Sequence, residues 1–296
     1  MDGSLQDTDW EILLHRIKGG KCTPFLGAGA ALPALPLGKE IAEQWSSQHG
    51  YPLPDTANLA RVAQYLAVKH DPLFPKELLA SLFKEKAPPN FGAPDEPHSV
   101  LSRLPLPIYM TTNYDDFMVR TLKAEGREAV REVCRWKRDI ESLPSEFDRG
   151  YVPTVQHPVV FHLHGQLDEP QSMVLTEDDY LDFLVRIIAT DPQILPPRIQ
   201  QAFSDSTLLF LGYALTDMDF RVLFRMLVEY LEKSSRRAHV SVQLLPVPEN
   251  MTAEQRQKVQ EYFDMYFRDS HIRVFWGTCR EFIAELSRRW EAFKNA

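Results

Sequence analysis

The sequence predicts an α/β fold: a Rossmann-like parallel sheet covered by helices on both faces, with a helical insertion lobe. Short runs of β-branched and aromatic residues alternate with longer segments of helical period, which is the pattern of strands joined by helices. Of the 296 residues, 44% are hydrophobic, which is enough for one large core or two unequal domains. We predict a single domain over residues 1–296, with the lobe at residues 37–104.

Strands are predicted at six apolar runs, with a shorter candidate ahead of one helix. Each run is short and rich in residues that favour a pleated, buried surface. The six are Cys22–Leu26, Ile108–Met110, Val159–Leu163, Thr207–Leu211, His239–Leu245 and Ile272–Trp276, and the shorter candidate is Met173–Leu175.

Helical periodicity predicts nine helices, three of which begin with a capping box. In each box a threonine stands three residues before a side chain that can reach back to it: Thr176 and Asp179, Thr252 and Gln255, Thr278 and Glu281. The predicted helices are Trp10–Ile17, Gly38–His49, Asn58–His70, Lys76–Lys86, Phe117–Glu125, Glu177–Ile188, Phe220–Glu232, Ala253–Phe267 and Arg280–Phe293.

Two of these helices carry a clear apolar stripe. The stripe of the helix at 177–188 is predicted to belong to the core. The stripe of the last helix is expected to pack on its own sheet, with an oligomer contact as the alternative. The two stripes are Tyr180, Phe183, Leu184, Ile187 and Ile188, and Phe282, Ile283, Leu286, Trp290 and Phe293.

Composition argues against several classes of protein. The formal charge is −8, so the surface as a whole has no electrostatic attraction for nucleic acid. No apolar run approaches the length of a membrane span and the N-terminus is acidic, so we expect no membrane association and a cytoplasmic location. The cysteines Cys22, Cys134 and Cys279 are far apart and form no CxxC pair. We therefore expect no zinc site.

A glycine-rich turn follows the first predicted strand. Gly27 and Gly29 there would allow backbone N–H groups to approach a diphosphate. The six-residue glycine fingerprint of dinucleotide dehydrogenases is incomplete, because its last position is Leu32. A tight turn without a ligand is the alternative.

The segment 111–116 places a run of polar side chains directly after the second predicted strand. Asn113 has a donor, an acceptor and no charge, which suits it to hold a water molecule or a ribose hydroxyl. Asp115 can accept a hydrogen bond from a carboxamide. Helix capping by Asp115 or Asp116 is the alternative, and it accounts for one of the two acids.

His162 and His164 flank Leu163 at the end of another predicted strand. Strand alternation would point both rings to one side while the strand lasts. A metal pair is disfavoured because no further ligand lies at a useful spacing. A structural role is the alternative for each, and for His164, which precedes Gly165, we favour general-base chemistry.

A fourth segment, 208–220, repeats the arrangement with Gly212 and Tyr213 after an apolar run. Taken in order from about Gly20 to Gly277, these segments resemble the sirtuin superfamily. That resemblance implies that NAD+ is the substrate. It implies a pyrophosphate contact for Gly27, Ala28 and Gly29, a role at the nicotinamide–ribose end for Asn113 and Asp115, and a general base in His164. The other predicted cofactor-binding residues are Ala30, Thr112, Gly212 and Tyr213, of which the last two border the nucleotide.

The departures from deacylating sirtuins narrow the expected activity. The glycine turn continues as Ala30-Ala31-Leu32-Pro33, and no cysteine lies between Cys134 and Cys279 to build a zinc ribbon. The chain therefore looks more like bacterial sirtuin-like NADases of anti-phage defence. The leading hypothesis is an NAD+ glycohydrolase that depletes NAD+. A silent NAD or ADP-ribose sensor and a protein-modifying sirtuin are the alternatives.

A toxic NADase must be held inactive until it is triggered, so a partner or an assembly step is expected. The resemblance implies a homo-oligomer or a sensor partner, such as an ATPase, an Argonaute-like protein or a ligand-binding protein. No sensor segment is evident within the 296 residues.

Overall fold

The computed structural model describes residues 5–188, 194–213, 239–243, 252–268 and 272–295. Within these ranges the chain forms ten α-helices around one sheet. The helices are α1 (Asp7–Lys18), α2 (Gly38–His49), α3 (Leu59–Lys69), α4 (Phe74–Lys84), α5 (Pro97–Ser102), α6 (Phe117–Ala124), α7 (Glu177–Ile188), α8 (Pro197–Asp205), α9 (Ala253–Arg268) and α10 (Cys279–Lys294).

The sheet has seven parallel strands in the order β3-β4-β2-β1-β5-β6-β7. Its strands are β1 (Cys22–Leu26), β2 (Ile108–Thr111), β3 (Val130–Val133), β4 (Val159–His162), β5 (Thr207–Leu211), β6 (His239–Gln243) and β7 (Ile272–Trp276). The predicted α/β, Rossmann-like fold is confirmed.

Alternate residues of the central strands enter two different cores, one on each face of the sheet. Phe25 and Phe210 belong to the core that α7 and α8 cover, whereas Leu26 and Leu211 belong to the core that α1, α5, α6 and α10 cover. Successive side chains of a strand point to opposite faces of the sheet, which explains this division. Strands buried on both faces are what a parallel sheet between helical layers requires.

Helices α2, α3 and α4 lie between β1 and β2 in the chain and pack on one another. We call these three helices, residues 38–84, the helical lobe. Trp45, Leu66 and Leu79 are buried at its centre, and Met173 and Leu175 from the main body complete the cluster. Val100 and Leu101 of α5, by contrast, pack on the main sheet. The domain division 1–296 with an insertion at 37–104 stays a prediction.

The three predicted capping boxes are present. Thr176, Thr252 and Thr278 each accept a hydrogen bond from the backbone N–H three residues on, and the side chain at that later position accepts one from the threonine N–H. These reciprocal bonds satisfy amides that the first helical turn leaves without partners.

Two predictions about elements need correction. The candidate strand Met173–Leu175 is wrong, because the segment is buried coil whose Val174 N–H and carbonyl bond to loop residues rather than to a strand. The edge strand β3 and helices α5 and α8 were not predicted. The predicted helix Phe220–Glu232 and the end of the predicted strand, Leu244 and Leu245, lie outside the described residues.

Helix α10 packs on its own sheet, as expected. Phe282, Ile283, Leu286 and Trp290 are buried against α1 and the sheet. No helix of the described residues is long and apolar enough to span a membrane.

Leu286→Ala should lower the free energy of unfolding by about 2–5 kcal/mol, because it removes a fully buried side chain and leaves a cavity. Glu291→Ala on the exposed side of the same helix is the control and should change it by less than about 0.5 kcal/mol. Urea unfolding measures both. Equal effects would contradict the packing of α10 on the sheet.

Candidate functional site

The predicted site residues lie in four loops at one edge of the sheet. β1 stands between β2 and β5, and the carboxyl ends of these strands and of β4 lead into the loops 27–31, 112–116, 163–167 and 212–213. In open parallel sheets, ligands bind outside the carboxyl ends where the strand order reverses. The fold therefore brings all ten predicted residues to one edge, while their roles stay predictions.

The glycine turn is held tightly against the end of β5. The N–H of Gly27 donates to a carbonyl of β5 at 2.8 Å, and that of Gly29 donates to Gly212 O at 2.9 Å. A Cβ at Gly27 would lie 2.8 Å from the Tyr213 ring, and Gly212 has a φ of +77°. Packing therefore explains these glycines. A pyrophosphate contact stays a prediction, and Ala28 is the exposed residue of the turn.

Thr112 and Tyr213 join the same assembly through the last residue of β1. The Tyr213 hydroxyl lies 2.9 Å from Leu26 O and 3.0 Å from Thr112 Oγ1. The backbone N–H of Thr112 also donates to Leu26 O at 3.0 Å. These bonds fix the loops after β1, β2 and β5 to one another.

Asn113 is buried and oriented by three hydrogen bonds. Its Nδ2 donates to Gly27 O at 3.0 Å, and its backbone N–H donates to Thr111 Oγ1 at 2.9 Å. His162 Nδ1 lies 3.0 Å from Asn113 O. An Asn amide carries two N–H hydrogens and an oxygen. In the described part of the chain no hydrogen bond occupies the second amide hydrogen or Oδ1 of Asn113, so both are available to a ligand.

Asp115 caps α6, so one of the two acids caps as predicted. Its Oδ1 accepts from Phe117 N at 3.0 Å, whereas Asp116 is half-exposed and lies 3.9 Å from Arg120. Asp115 Oδ2 is buried without a hydrogen-bond partner in the described part of the chain. Burial raises the pKa of this carboxyl group, with His98 opposing the rise.

His164 lies in an aromatic cage that α7 supplies. Its ring makes edge contacts with Tyr180 at 5.5 Å and Phe183 at 5.0 Å between centroids. The side chain is almost wholly buried, and burial lowers its pKa to about 3. Phe183 and Ile187 of the predicted apolar stripe of α7 belong to the core, and Tyr180 packs against it. Tyr180 and Phe183 also form one wall beside His164. A neutral imidazole is the form that accepts a proton.

His162 has different neighbours from His164. β4 ends at His162, so strand alternation no longer governs the next residues, and the His162 ring bonds to the Asn113 loop. Burial lowers its pKa to about 4. No group of three or more potential metal ligands occurs among the residues that the structure describes.

Tyr114 is a site residue that sequence reasoning missed. Its hydroxyl donates to Val174 O at 2.6 Å, and Val174 N–H donates to His164 O at 3.0 Å. Leu167 N–H donates to Tyr114 O at 3.1 Å. The two loops that carry Asn113 and His164 are thus tied together. The available signal was an aromatic residue inside a polar cluster.

Residues 107–275 match the SIR2-like domain family, which is more than half of the chain. The chain belongs to this family. The match spans β2 to β7 and includes Asn113 and His164, whereas Gly27 and the helical lobe precede it.

Curated relatives of this SIR2-like domain carry the name NAD(+) hydrolase ThsA. The protein from Enterococcus faecium is 24% identical over 274 residues, which are 90% of this chain and 53% of the relative. That from Acinetobacter baumannii is 24% identical over 220 residues, 72% of this chain and 40% of the relative. That from Bacillus cereus is 27% identical over 142 residues, 48% and 26% respectively. The chain thus spans about a quarter to a half of these relatives.

The two buried histidines should make the SIR2-like domain sensitive to acid. Their folded pKa values are about 4 and about 3, while unfolded histidine titrates near about 6.5. Between about pH 6.5 and 4 the unfolded chain therefore binds more protons at His162 and His164. The free energy of unfolding should fall as pH falls, by up to about 1.4 kcal/mol per pH unit for each histidine.

Urea unfolding at about pH 7, 6 and 5 measures this slope. His164→Gln should lower this slope by up to about 1.4 kcal/mol per pH unit, and Val68→Ala at the exposed surface is the control that should leave the slope unchanged. An identical slope in His164→Gln and the unsubstituted chain would contradict neutral burial of His164.

Proposed function

We propose that this SIR2-like domain hydrolyses NAD+ at the nicotinamide–ribose bond to give ADP-ribose and nicotinamide. One observation carries the proposal: two loops at the carboxyl edge of the sheet are tied together by Tyr114 and Val174. One loop presents the amide of Asn113, and the other presents the neutral ring of His164. The names of the curated relatives support the same substrate.

The reaction does not depend on a strongly acidic group of the enzyme. The nicotinamide of NAD+ leaves as a neutral molecule from a cationic ring, so departure requires no acid on the enzyme. Positioning and stabilisation of an oxocarbenium-like transition state dominate. The oxygen of a water molecule then bonds to the anomeric carbon, and its surplus proton is lost to solvent.

In this proposal Asn113 orients the attacking water through its remaining N–H and oxygen. His164 accepts a hydrogen bond or a proton from a ribose hydroxyl, which supports the developing positive charge. The buried Asp115 carboxyl, whose Oδ2 has no hydrogen-bond partner among the described residues, accepts a hydrogen bond from the carboxamide. Gly27 to Ala30, Thr112, Gly212 and Tyr213 border the nucleotide.

The wider role is proposed on the sirtuin resemblance. We infer an NAD-depleting effector of bacterial anti-phage defence that is held inactive until a homo-oligomer assembles or a sensor partner binds. Loss of NAD+ would harm the host cell as well, so such control is expected. NAD+ consumption is the chemistry that this control would regulate.

His164→Ala and Asn113→Ala should each lower turnover by about two orders of magnitude or more, because each removes a group that acts on the reacting atoms. Release of nicotinamide from NAD+, followed by chromatography over a series of protein concentrations, measures turnover. His157→Ala is the matched surface control and should retain full turnover. Thermal unfolding checks that each variant is folded.

The same assay separates the alternatives. Full turnover in both folded variants would refute the assignment of Asn113 and His164. Bound but intact NAD+ at every concentration would favour a sensing domain, and label transferred from NAD+ to protein would favour a protein-modifying enzyme. A steep rise of specific turnover with concentration would support control by assembly.

A further inference from the structure

A lysine of the helical lobe is buried against the main body. Lys76 of α4 is 2% exposed, and its Nζ lies 2.8 Å from both carboxylate oxygens of Asp179. The same Nζ lies 5.8 Å from the centroid of the Trp136 ring. Lysine is almost never buried to this extent unless it is paired. This cation therefore makes a specific contact with two residues of the main body.

Asp179, the first partner of Lys76, controls the start of α7. Its Oδ2 accepts hydrogen bonds from the backbone N–H groups of Leu175 at 3.1 Å and Thr176 at 3.0 Å. The next residue, Tyr180, contacts the ring of His164. The position of this carboxylate therefore sets the aromatic wall beside His164.

Trp136, the second partner of Lys76, controls the other end of the same segment. Its Nε1 donates to Ser172 O at 2.7 Å, and Ser172 Oγ accepts from Gln166 N at 3.1 Å. Ser172 O sits where a side chain on Gly165 would be, 2.2 Å from the position of a Cβ there. Trp136 thereby holds the turn that directly follows His164.

We propose that Lys76 is a positioning residue for His164. One cation from the helical lobe contacts Asp179 and Trp136, and these two side chains hold both ends of the segment 164–179. Separation of the lobe from the main body would withdraw the cation and release the segment. The expected effect on turnover rests on the proposed function, whereas the structural link does not.

Two further residue pairs of the described chain join the lobe to α7 through exposed contacts. Arg61 lies 2.9 Å from Glu177, with side chains 50% and 45% exposed. Gln64 donates to the Asp178 carboxylate at 2.8 Å and accepts from the Asp178 N–H at 3.0 Å. Exposed pairs of this kind contribute little because water screens them. Removal of Lys76 would instead leave Asp179 mostly buried and without its cation, which makes Lys76 the residue to test.

Lys76→Met should loosen the segment. Hydrogen exchange at the amides of Val174 and Gln166 should become about tenfold faster, because these amides report local opening. The kcat for nicotinamide release should fall about 10- to 100-fold with KM within about twofold, as expected when a reacting group is misplaced. Lys137→Met is the matched control, since Lys137 Nζ lies 5.4 Å from the same Trp136 ring but belongs to the main body.

A double variant separates positioning from simple destabilisation. Lys76→Met with Asp179→Asn removes the unpaired carboxylate, so thermal stability should recover relative to Lys76→Met alone. Because the double variant still lacks the cation, amide exchange should stay fast and kcat should stay low. Recovery of kcat together with stability would reduce Lys76 to a structural role and overturn the proposal.

The exchange measurement also decides the proposal if the chain releases no nicotinamide. In that case the proposed function fails by itself. Unchanged exchange at Val174 and Gln166 in Lys76→Met would in addition overturn the structural link between Lys76 and the segment 164–179. Faster exchange would support it. In an active enzyme, faster exchange with unaltered kcat would show that Lys76 holds the segment but does not position His164.

Discussion

The close approach of the turn after β1 to the turn after β5 is the constraint on which the rest of the site depends. Gly27 donates to the last carbonyl of β5 and Gly29 donates to a carbonyl of the turn that follows, and Gly212 can occupy its place only without a Cβ. Because Gly27 O is fixed in this way, it can serve as the acceptor that orients Asn113. The glycines thus act first through packing, and any contact with a nucleotide is built on that packing.

Burial divides the polar groups of the site into neutral and charged ones. Among the described residues no carboxylate bonds to the ring of His164 or His162, and burial lowers the pKa of both so that both are neutral. Lys76 and Asp179 are also buried, but they are paired at 2.8 Å. The neutral rings avoid the cost of burying a charge, and the attraction between Lys76 and Asp179 offsets part of the desolvation cost of that pair.

The sequence predicts the central strands and most helices because their signals are local and consistent. β1, β5 and β7 match their predicted bounds, since each is a short apolar run. The edge strand β3 was not predicted, because Arg131 and Glu132 interrupt its apolar pattern. An edge strand tolerates such charged residues, whereas a central strand does not. The apolar run 173–175 was wrongly predicted to be a strand. Its side chains enter the cores of the lobe and of the main body, but its backbone bonds to loops. Which loops meet depends on strand order, which no local pattern encodes.

The part of the chain ahead of the matched family region supplies two contacts that this region lacks. Residues 107–275 contain the Asn113 and His164 loops, but the oxygen that orients Asn113 belongs to Gly27, and the cation behind His164 belongs to Lys76. Both come from the first part of the chain, ahead of the match. Each polar residue proposed to act on the reacting atoms is therefore held by a contact from outside its own segment. Because Lys76 reaches Asp179 only when the lobe packs on the main body, lobe docking is a point at which the proposed activity can be controlled.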